Sequence, residues 1–131
     1  MKEISIGDEV YAIHVTSDDI KNGSQWFGDK HESLQGQRFK QPKGYEFKSH
    51  YHLLNPRTIK RTQEAFIVIS GMIRVSIYRT DHVFLFSIDA SPGDAVFVYR
   101  GGHGIKVLKD CVVYEVKAGQ YTYVSEDKEY I

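Results

Sequence analysis

The sequence carries no excess charge of either sign, because its 17 Lys and Arg residues balance 17 Asp and Glu residues. No net field therefore draws the chain toward nucleic acid or an anionic membrane surface. No apolar run approaches the roughly 20 residues that a membrane-spanning helix needs. The first residues contain one early lysine and then acidic side chains, unlike a secretion signal. We expect a cytoplasmic protein with neither a nucleic-acid nor a membrane partner.

Cysteine is nearly absent, since Cys111 stands alone and no intramolecular disulfide can form. It lies in an apolar stretch, and the neighbouring sequence offers no recognisable activating group. We interpret it as a small core residue in preference to a nucleophile. A strong helical period is also missing.

Short runs of Val, Ile, Phe and Tyr, separated by Gly, Pro, Asp and Asn, dominate the second half. This pattern is typical of an all-β domain. It predicts strands at 65–69, 72–78, 82–88, 95–99, 104–108 and 112–117, with tight reversals at 70–71, 80–81, 91–94, 101–102 and 109–110. An edge strand is expected at 10–16 and a long connection at 17–44. A chain of 131 residues is the size of one domain, 1–131.

Two histidines stand two positions apart in a stretch, 45–52, that alternates like a strand. On a strand, His50 and His52 share one face with Cα atoms about 6.5 to 7 Å apart, so that both imidazoles can converge on one ion. The alternative is a pair of ordinary surface histidines. The same parity directs Glu46 and Lys48 inward. Lys48 is then either a ligand for a substrate carboxylate or phosphate, or an ordinary surface charge.

The glycines and acids around this pair carry a family resemblance. Five residues separate Gly44 from His50, and six residues separate Glu64 from Gly71. This arrangement resembles the first motif of the cupin superfamily. The run from Gly93-Asp94 to the histidine of Gly102-His103-Gly104 resembles the second motif, and together they span about 60 residues.

The resemblance implies a cupin double-stranded β-helix, a jelly-roll barrel with one divalent metal ion inside. Its ligands would be His50, His52, Glu64 and His103. Imidazoles and a carboxylate suit Fe²⁺, Mn²⁺, Ni²⁺, Zn²⁺ or Co²⁺. Because residues 53–63 form an insertion longer than the family pattern, Gln63 is an alternative to Glu64. A barrel without metal, lined by hydrogen-bonded histidines, is the alternative to the whole set.

Several charged residues are candidates for substrate contact. Glu115 and Lys117 share one face of their predicted strand, where they are either a catalytic acid–base pair or a solvent-facing salt bridge. Arg57 and Arg61 lie in the insertion, which either covers the barrel mouth and attracts an anionic substrate or is a solvated loop.

The expected function is that of a metal-dependent enzyme acting on a small polar or anionic molecule such as a sugar derivative, of the isomerase, epimerase or dioxygenase type. The chain is also similar to small uncharacterised cupins encoded with bacterial surface-polysaccharide genes. Cupins often pair strands between subunits, which implies a homodimer. One alternative is a non-catalytic module that binds a small ligand, and another is a metal-free epimerase with a histidine base and a tyrosine acid.

Overall fold

Antiparallel β-strands build this protein in its computed structural model, which describes residues 1–121 and 124–131 without the side chains of residues 19, 125 and 126. The strands are β1 (Lys2–Ile6), β2 (Glu9–Val15), β3 (Gly23–Phe27), β4 (Gly36–Lys40), β5 (Glu64–Tyr78), β6 (Phe84–Ala90), β7 (Ala95–Val98) and β8 (Gly102–Lys117). Helical structure in this part of the chain is limited to a 3-10 turn, Ser17–Asp19, and to α1 (Val124–Asp127). The prediction of an all-β fold is confirmed. Within the described residues, no helix has the length and apolarity to cross a membrane.

The long strand β5 is the centre of the main sheet, whose order is β1-β2-β7-β5-β6. One edge of β5 pairs with β7 along its first residues and with β6 along its last. The other edge pairs with β8 over its whole length. Strands β5 and β8 therefore form a two-stranded ribbon, and this ribbon connects the two ends of the sheet.

The ribbon bends until its two halves face each other. One buried cluster contains Phe66 and Val68 from the first half of β5 together with Ile73, Val75 and Ile77 from the second half. Side chains on the same face of a flat sheet could not pack against one another at this separation. The main sheet is therefore curled into half of a barrel, with its core on the concave face.

The bend is made at Gly71. The β5–β8 register shifts three times between Val68 and Ile73, as expected for β-bulges, which bend and twist a strand. Gly71 has a φ of 76°, and a Cβ atom there would lie 2.0 Å from the carbonyl oxygen of Asp110. The predicted reversals at 70–71 and 109–110 are thus wrong: both strands continue, and these positions form a corner.

The convex face of the sheet carries a second buried cluster. Phe27 from the β3–β4 hairpin packs there with Ala65, Phe97 and Tyr99. The prediction of a plain connection at 17–44 is therefore wrong, because this polar segment pairs with itself to form the hairpin. The strand expected at 10–16 exists as β2, but it pairs on both edges, with β1 and β7.

The segment before β5 contains no strand. The alternation at 45–52 predicted one, yet the structure assigns none to this stretch. Every residue from 42 to 62 is exposed, and Leu54 is fully so. Among the described strands none pairs with this backbone. The alternation of residues could not show whether such a partner strand exists.

Candidate active site

The bend brings together two residues from opposite ends of the ribbon. The β5–β8 register pairs Glu64 with Lys117 at one end and Ile77 with His103 at the other. In a flat ribbon these two ends would be separated by about 40 Å. In the curled ribbon, Nε2 of His103 lies 2.8 Å from Oε2 of Glu64. The His103 ring also packs against Phe66, with centroids 5.4 Å apart.

Glu64 is a buried carboxylate held between two nitrogen donors. Only 4% of the residue is exposed, and its second oxygen lies 2.8 Å from Nζ of Lys117. The hydrogen bond with His103 is the main reason why the pKa of Glu64 falls from 4.5 to about 2. Burial opposes this decrease, and Lys117 adds to it. Glu64 is therefore an anion across the physiological range, and it orients the imidazole.

Lys117 extends this network to the end of the chain. Its Nζ atom lies 3.2 Å from Oδ2 of Asp127, and Asp127 accepts a hydrogen bond of 2.9 Å from the hydroxyl of Thr62. The contact with Glu64 raises the pKa of Lys117. With two carboxylates as partners, Lys117 is fixed as a cation, so its part in this arrangement is to position Glu64.

A pocket of about 790 Å³ opens beside this network, within the size range of small-ligand sites. Its wall includes Glu64, His103 and Glu115 from the concave face. Three arginines line it as well: Arg61, Arg79 and Arg100.

The three arginines differ in their partners. Arg79 lies 2.8 Å from Asp81, and Arg100 pairs with Glu9. Among the described residues Arg61 has no ion pair. Arg61 is therefore the pocket guanidinium without an ion pair in the described part of the chain, and its contact with a substrate stays a prediction.

The structure distinguishes Glu64 from its neighbour Gln63. The Gln63 amide is also buried, but its oxygen accepts a hydrogen bond of 2.8 Å from the backbone N–H of Leu34, and its nitrogen bonds with Glu32. Both partners, Glu32 and Leu34, lie in the connection between β3 and β4. Because successive strand residues point to opposite faces, Glu64 and not Gln63 lines the pocket.

The four predicted metal ligands form two separate pairs. The rings of His50 and His52 have centroids 5.2 Å apart, and Glu64 and His103 are in direct contact. In the described part of the chain, no group of three or more His, Cys, Asp or Glu side chains is placed to hold a metal ion. As arranged, these residues do not fit one metal centre. Metal binding stays a prediction that requires residues 42–62 to occupy another position.

The remaining candidates fall into two groups. Glu115 lines the pocket, and Lys117 pairs with Glu64 beside it; a catalytic role for either residue stays a prediction. Lys48 and Arg57 lie in the exposed segment, and neither lines the pocket. The Lys48 carbonyl accepts a hydrogen bond of 3.0 Å from Nδ1 of His50, so the histidine contact here is local.

Sequence reasoning did not find Arg79, Arg100 or Asp127. Arg79 directly follows β5, and a single residue separates Arg100 from the end of β7. Charged residues that come just after apolar strands could therefore have indicated which side chains lie at one end of the sheet, near a binding site. Asp127 reaches the site through the folding of the chain end, for which the sequence has no comparable signal.

Comparisons with known proteins returned no relative. No protein-family model matches the chain, and no curated protein or solved structure matches it either. The class defined by the fold and the site is therefore an all-β half-barrel with a Glu64–His103 pair in an open pocket, and the cupin resemblance stays a prediction.

Proposed function

We propose that the protein is an enzyme that moves a proton on a small anionic molecule, such as a sugar derivative carrying a carboxylate or phosphate. The observation that carries this proposal is the contact of 2.8 Å between Glu64 and His103 at the pocket wall. A histidine held by a buried carboxylate is a recurring acid–base arrangement in enzymes. The curled sheet is in keeping with the cupin jelly roll, which we retain as the finer fold proposal.

The chemistry assigned to His103 is a proton transfer. Its Nε2 atom is engaged by Glu64, whereas Nδ1 has no partner among the described residues. Nδ1 takes a proton from the carbon beside a substrate carbonyl, which leaves an enediolate and an imidazolium. Glu64 stabilises the imidazolium. In an isomerisation the imidazolium returns the proton to the neighbouring carbon, while the hydroxyl proton passes to the former carbonyl oxygen. In an epimerisation Glu115 supplies a proton to the other face of the same carbon, and His103 releases its proton to water. No oxidant or reductant is consumed in either case.

Substrate recognition in this proposal depends on Arg61. It is an exposed guanidinium at the pocket and has no ion pair in the described part of the chain. Guanidinium groups bind carboxylate and phosphate in a bidentate manner. Glu115, which pairs with Phe66 on the concave face, is the second acid–base group proposed for the pocket.

Deuterium exchange tests the proposal and does not require the product to be identified first. The protein is incubated in D₂O with a panel of sugar phosphates, sugar acids and nucleotide-linked sugars, and NMR follows deuterium at carbon beside the carbonyl. Wild type is expected to exchange at least one member of the panel. His103→Asn is expected to lose exchange by about 100-fold or more. His82→Asn is the matched control, because His82 lines the same pocket away from Glu64.

Two outcomes would overturn the enzyme proposal. Exchange retained in His103→Asn would remove His103 from the reaction. A panel member that binds wild type and is never exchanged or converted would favour the non-catalytic binding module instead. For such a module, His103→Asn would change only the affinity.

Metal dependence is a second candidate form of this function. It rests on the cupin resemblance, and it requires residues 42–62 to bring His50 and His52 to the Glu64–His103 pair. Elemental analysis is the test, on protein incubated with Fe²⁺, Mn²⁺, Ni²⁺ or Zn²⁺ and then desalted. This form predicts one ion per chain, lost in His50→Ala and in His103→Ala. No bound ion in wild type, or an ion kept by both variants, would contradict it.

A further inference from the structure

A second cavity, of about 500 Å³, lies between the first strands and the β3–β4 hairpin. Of its lining residues only Arg100 also lines the pocket that contains Glu64 and His103. Its volume falls within the range of small-molecule sites. The proposed function makes no use of it.

The cavity wall is acidic. Four of its side chains are carboxylates, contributed by Glu3, Asp8, Asp29 and Glu32. Its one basic side chain is Arg100, whose guanidinium is already paired with Glu9, and Met1, which carries the N-terminal ammonium, lines it as well. The four carboxylates outnumber these two cationic groups. Among the described residues, no basic side chain pairs with any of the four carboxylates. The cavity therefore favours a cation.

A buried hydroxyl without a partner points to the same cavity. Tyr99 is only 1% exposed, and its oxygen has no hydrogen-bond partner in the described part of the chain. Nearly all buried polar groups are hydrogen-bonded, so an unpaired hydroxyl at a cavity wall marks a place for a ligand atom. Burial, followed by the charge of Glu32, raises the pKa of Tyr99, and the hydroxyl stays protonated at neutral pH.

Gly28 lies directly against this hydroxyl. It lines the cavity with a φ of 87°, and a Cβ atom at this position would lie 2.8 Å from the Tyr99 hydroxyl. A side chain at position 28 would thus be strained and would press against the oxygen, whereas glycine leaves only its backbone between the hydroxyl and the cavity. Beside it, Trp26 is 65% exposed and offers an aromatic face at the cavity.

We propose that this cavity binds a small protonated amine. The ammonium group lies among the carboxylates and donates a hydrogen bond to the Tyr99 hydroxyl, while Trp26 contributes a cation–π contact. The site is separate from the acid–base pocket and does not depend on the reaction proposed there.

Trp26 makes the test direct, because it is the only tryptophan in the chain. Its fluorescence is followed while 1,4-diaminobutane is added at pH 7 and constant ionic strength. We expect a saturable change. The neutral analogue 1,4-butanediol and an equal ionic strength of NaCl are expected to give no saturable change, since neither supplies an organic ammonium group.

Two variants identify the groups that bind. Tyr99→Phe is expected to weaken 1,4-diaminobutane binding about tenfold, because a hydrogen bond to a charged group is lost. Its thermal midpoint is expected to equal or exceed that of wild type, since the hydroxyl has no partner to lose. Glu32→Gln is also expected to weaken binding about tenfold. Glu129→Gln, a carboxylate change in the other pocket, is the matched control and leaves binding unchanged.

The proposal is overturned by any of three results. These are no saturable fluorescence change with 1,4-diaminobutane, equal binding of the diol, and unchanged affinity in a folded Tyr99→Phe protein. A loss of 1,4-diaminobutane binding in Glu129→Gln equal to that in Glu32→Gln would also overturn it, because nonspecific charge attraction would then be the cause.

Discussion

At the scale of single residues, Glu64 connects the site to the stability of the fold. Glu64 was identified as a candidate from its spacing to Gly71, and His103 was identified from the glycines beside it. Their mutual contact could not be predicted, because it depends on how far the sheet curls between them. The placement of His50 and His52 also depended on a strand that the sequence pattern favoured and the structure does not form.

Glu64→Gln is expected to lower the free energy of unfolding by about 1–3 kcal/mol at pH 7, because two nitrogen donors lose a buried anionic partner. Urea unfolding measures the loss. Glu115→Gln is the control: Glu115 is exposed and has no ion pair among the described residues, so its change should stay within about 0.5 kcal/mol. Equal losses in the two variants would contradict the assignment of Glu64.

The pH dependence of stability follows from the same residue. The pKa of Glu64 falls from 4.5 to about 2 on folding, mainly through the hydrogen bond with His103. A depressed carboxylate contributes its full stability above 4.5 and loses it as the pH falls from 4.5 through about 2. We therefore expect the stability difference between wild type and Glu64→Gln to shrink across this window. A constant difference across the window would be inconsistent with a depressed Glu64.

Asp94 is a second buried carboxylate, and its role is to join elements. Its oxygens accept hydrogen bonds from the backbone N–H groups of Ser17 at 2.8 Å and Ser91 at 3.0 Å, and His14 lies 3.1 Å away. Burial alone would raise the pKa of Asp94, but these hydrogen bonds lower it. Sequence reasoning placed a turn at 91–94 correctly but gave no indication that Asp94 binds the end of β2.

At the scale of elements, the corner at Gly71 decides whether a site exists. The sequence pattern located both halves of β5 and of β8, but it presented Gly71 and Asp110 as reversals between separate strands. A bulge and a turn use the same residue types, and only the pairing partner distinguishes them. The β3–β4 hairpin was missed for a related reason: its strands are only five residues long and show no alternation of apolar and polar residues.

Gly71→Ala is expected to cost about 1–3 kcal/mol from the positive φ alone, with a further loss from the contact with Asp110. Because the corner brings Glu64 to His103, proton-transfer activity should fall with it. Gly104→Ala is the matched control: Gly104 lies on β8 without a positive φ, and a Cβ atom there would meet nothing within 4 Å. Urea midpoints measure both variants, and similar values for the two would argue against a corner at Gly71.

At the scale of the whole molecule, the open edge of the sheet predicts self-association. Among the described residues β8 pairs only with β5, and Val112, Tyr114 and Val116 are exposed on one face of it. Exposed apolar edge strands tend to pair with another chain. The expected homodimer remains a prediction, and the composition of β8 supports it.

Sedimentation tests this prediction. Wild type is expected to sediment as a dimer, and Tyr114→Lys as a monomer, because a charge on an apolar edge opposes pairing. Tyr130→Lys is the control, since Tyr130 is even more exposed than Tyr114 but lies outside the sheet. A wild-type monomer at about 100 μM, well above the micromolar dissociation constants of modest interfaces, would refute the homodimer.

The curled β5–β8 ribbon holds Glu64 against His103 at the wall of the pocket, and every role proposed for this pocket depends on that contact. The most direct measurement is an NMR titration of the Glu64 side-chain carboxyl carbon in wild type and in His103→Asn. We expect a pKa of about 2 for Glu64 in wild type and a rise toward 4.5 in the variant, because the hydrogen bond that contributes most to the shift is removed. A wild-type pKa near 4.5, or a low value that His103→Asn leaves unchanged, would contradict this contact.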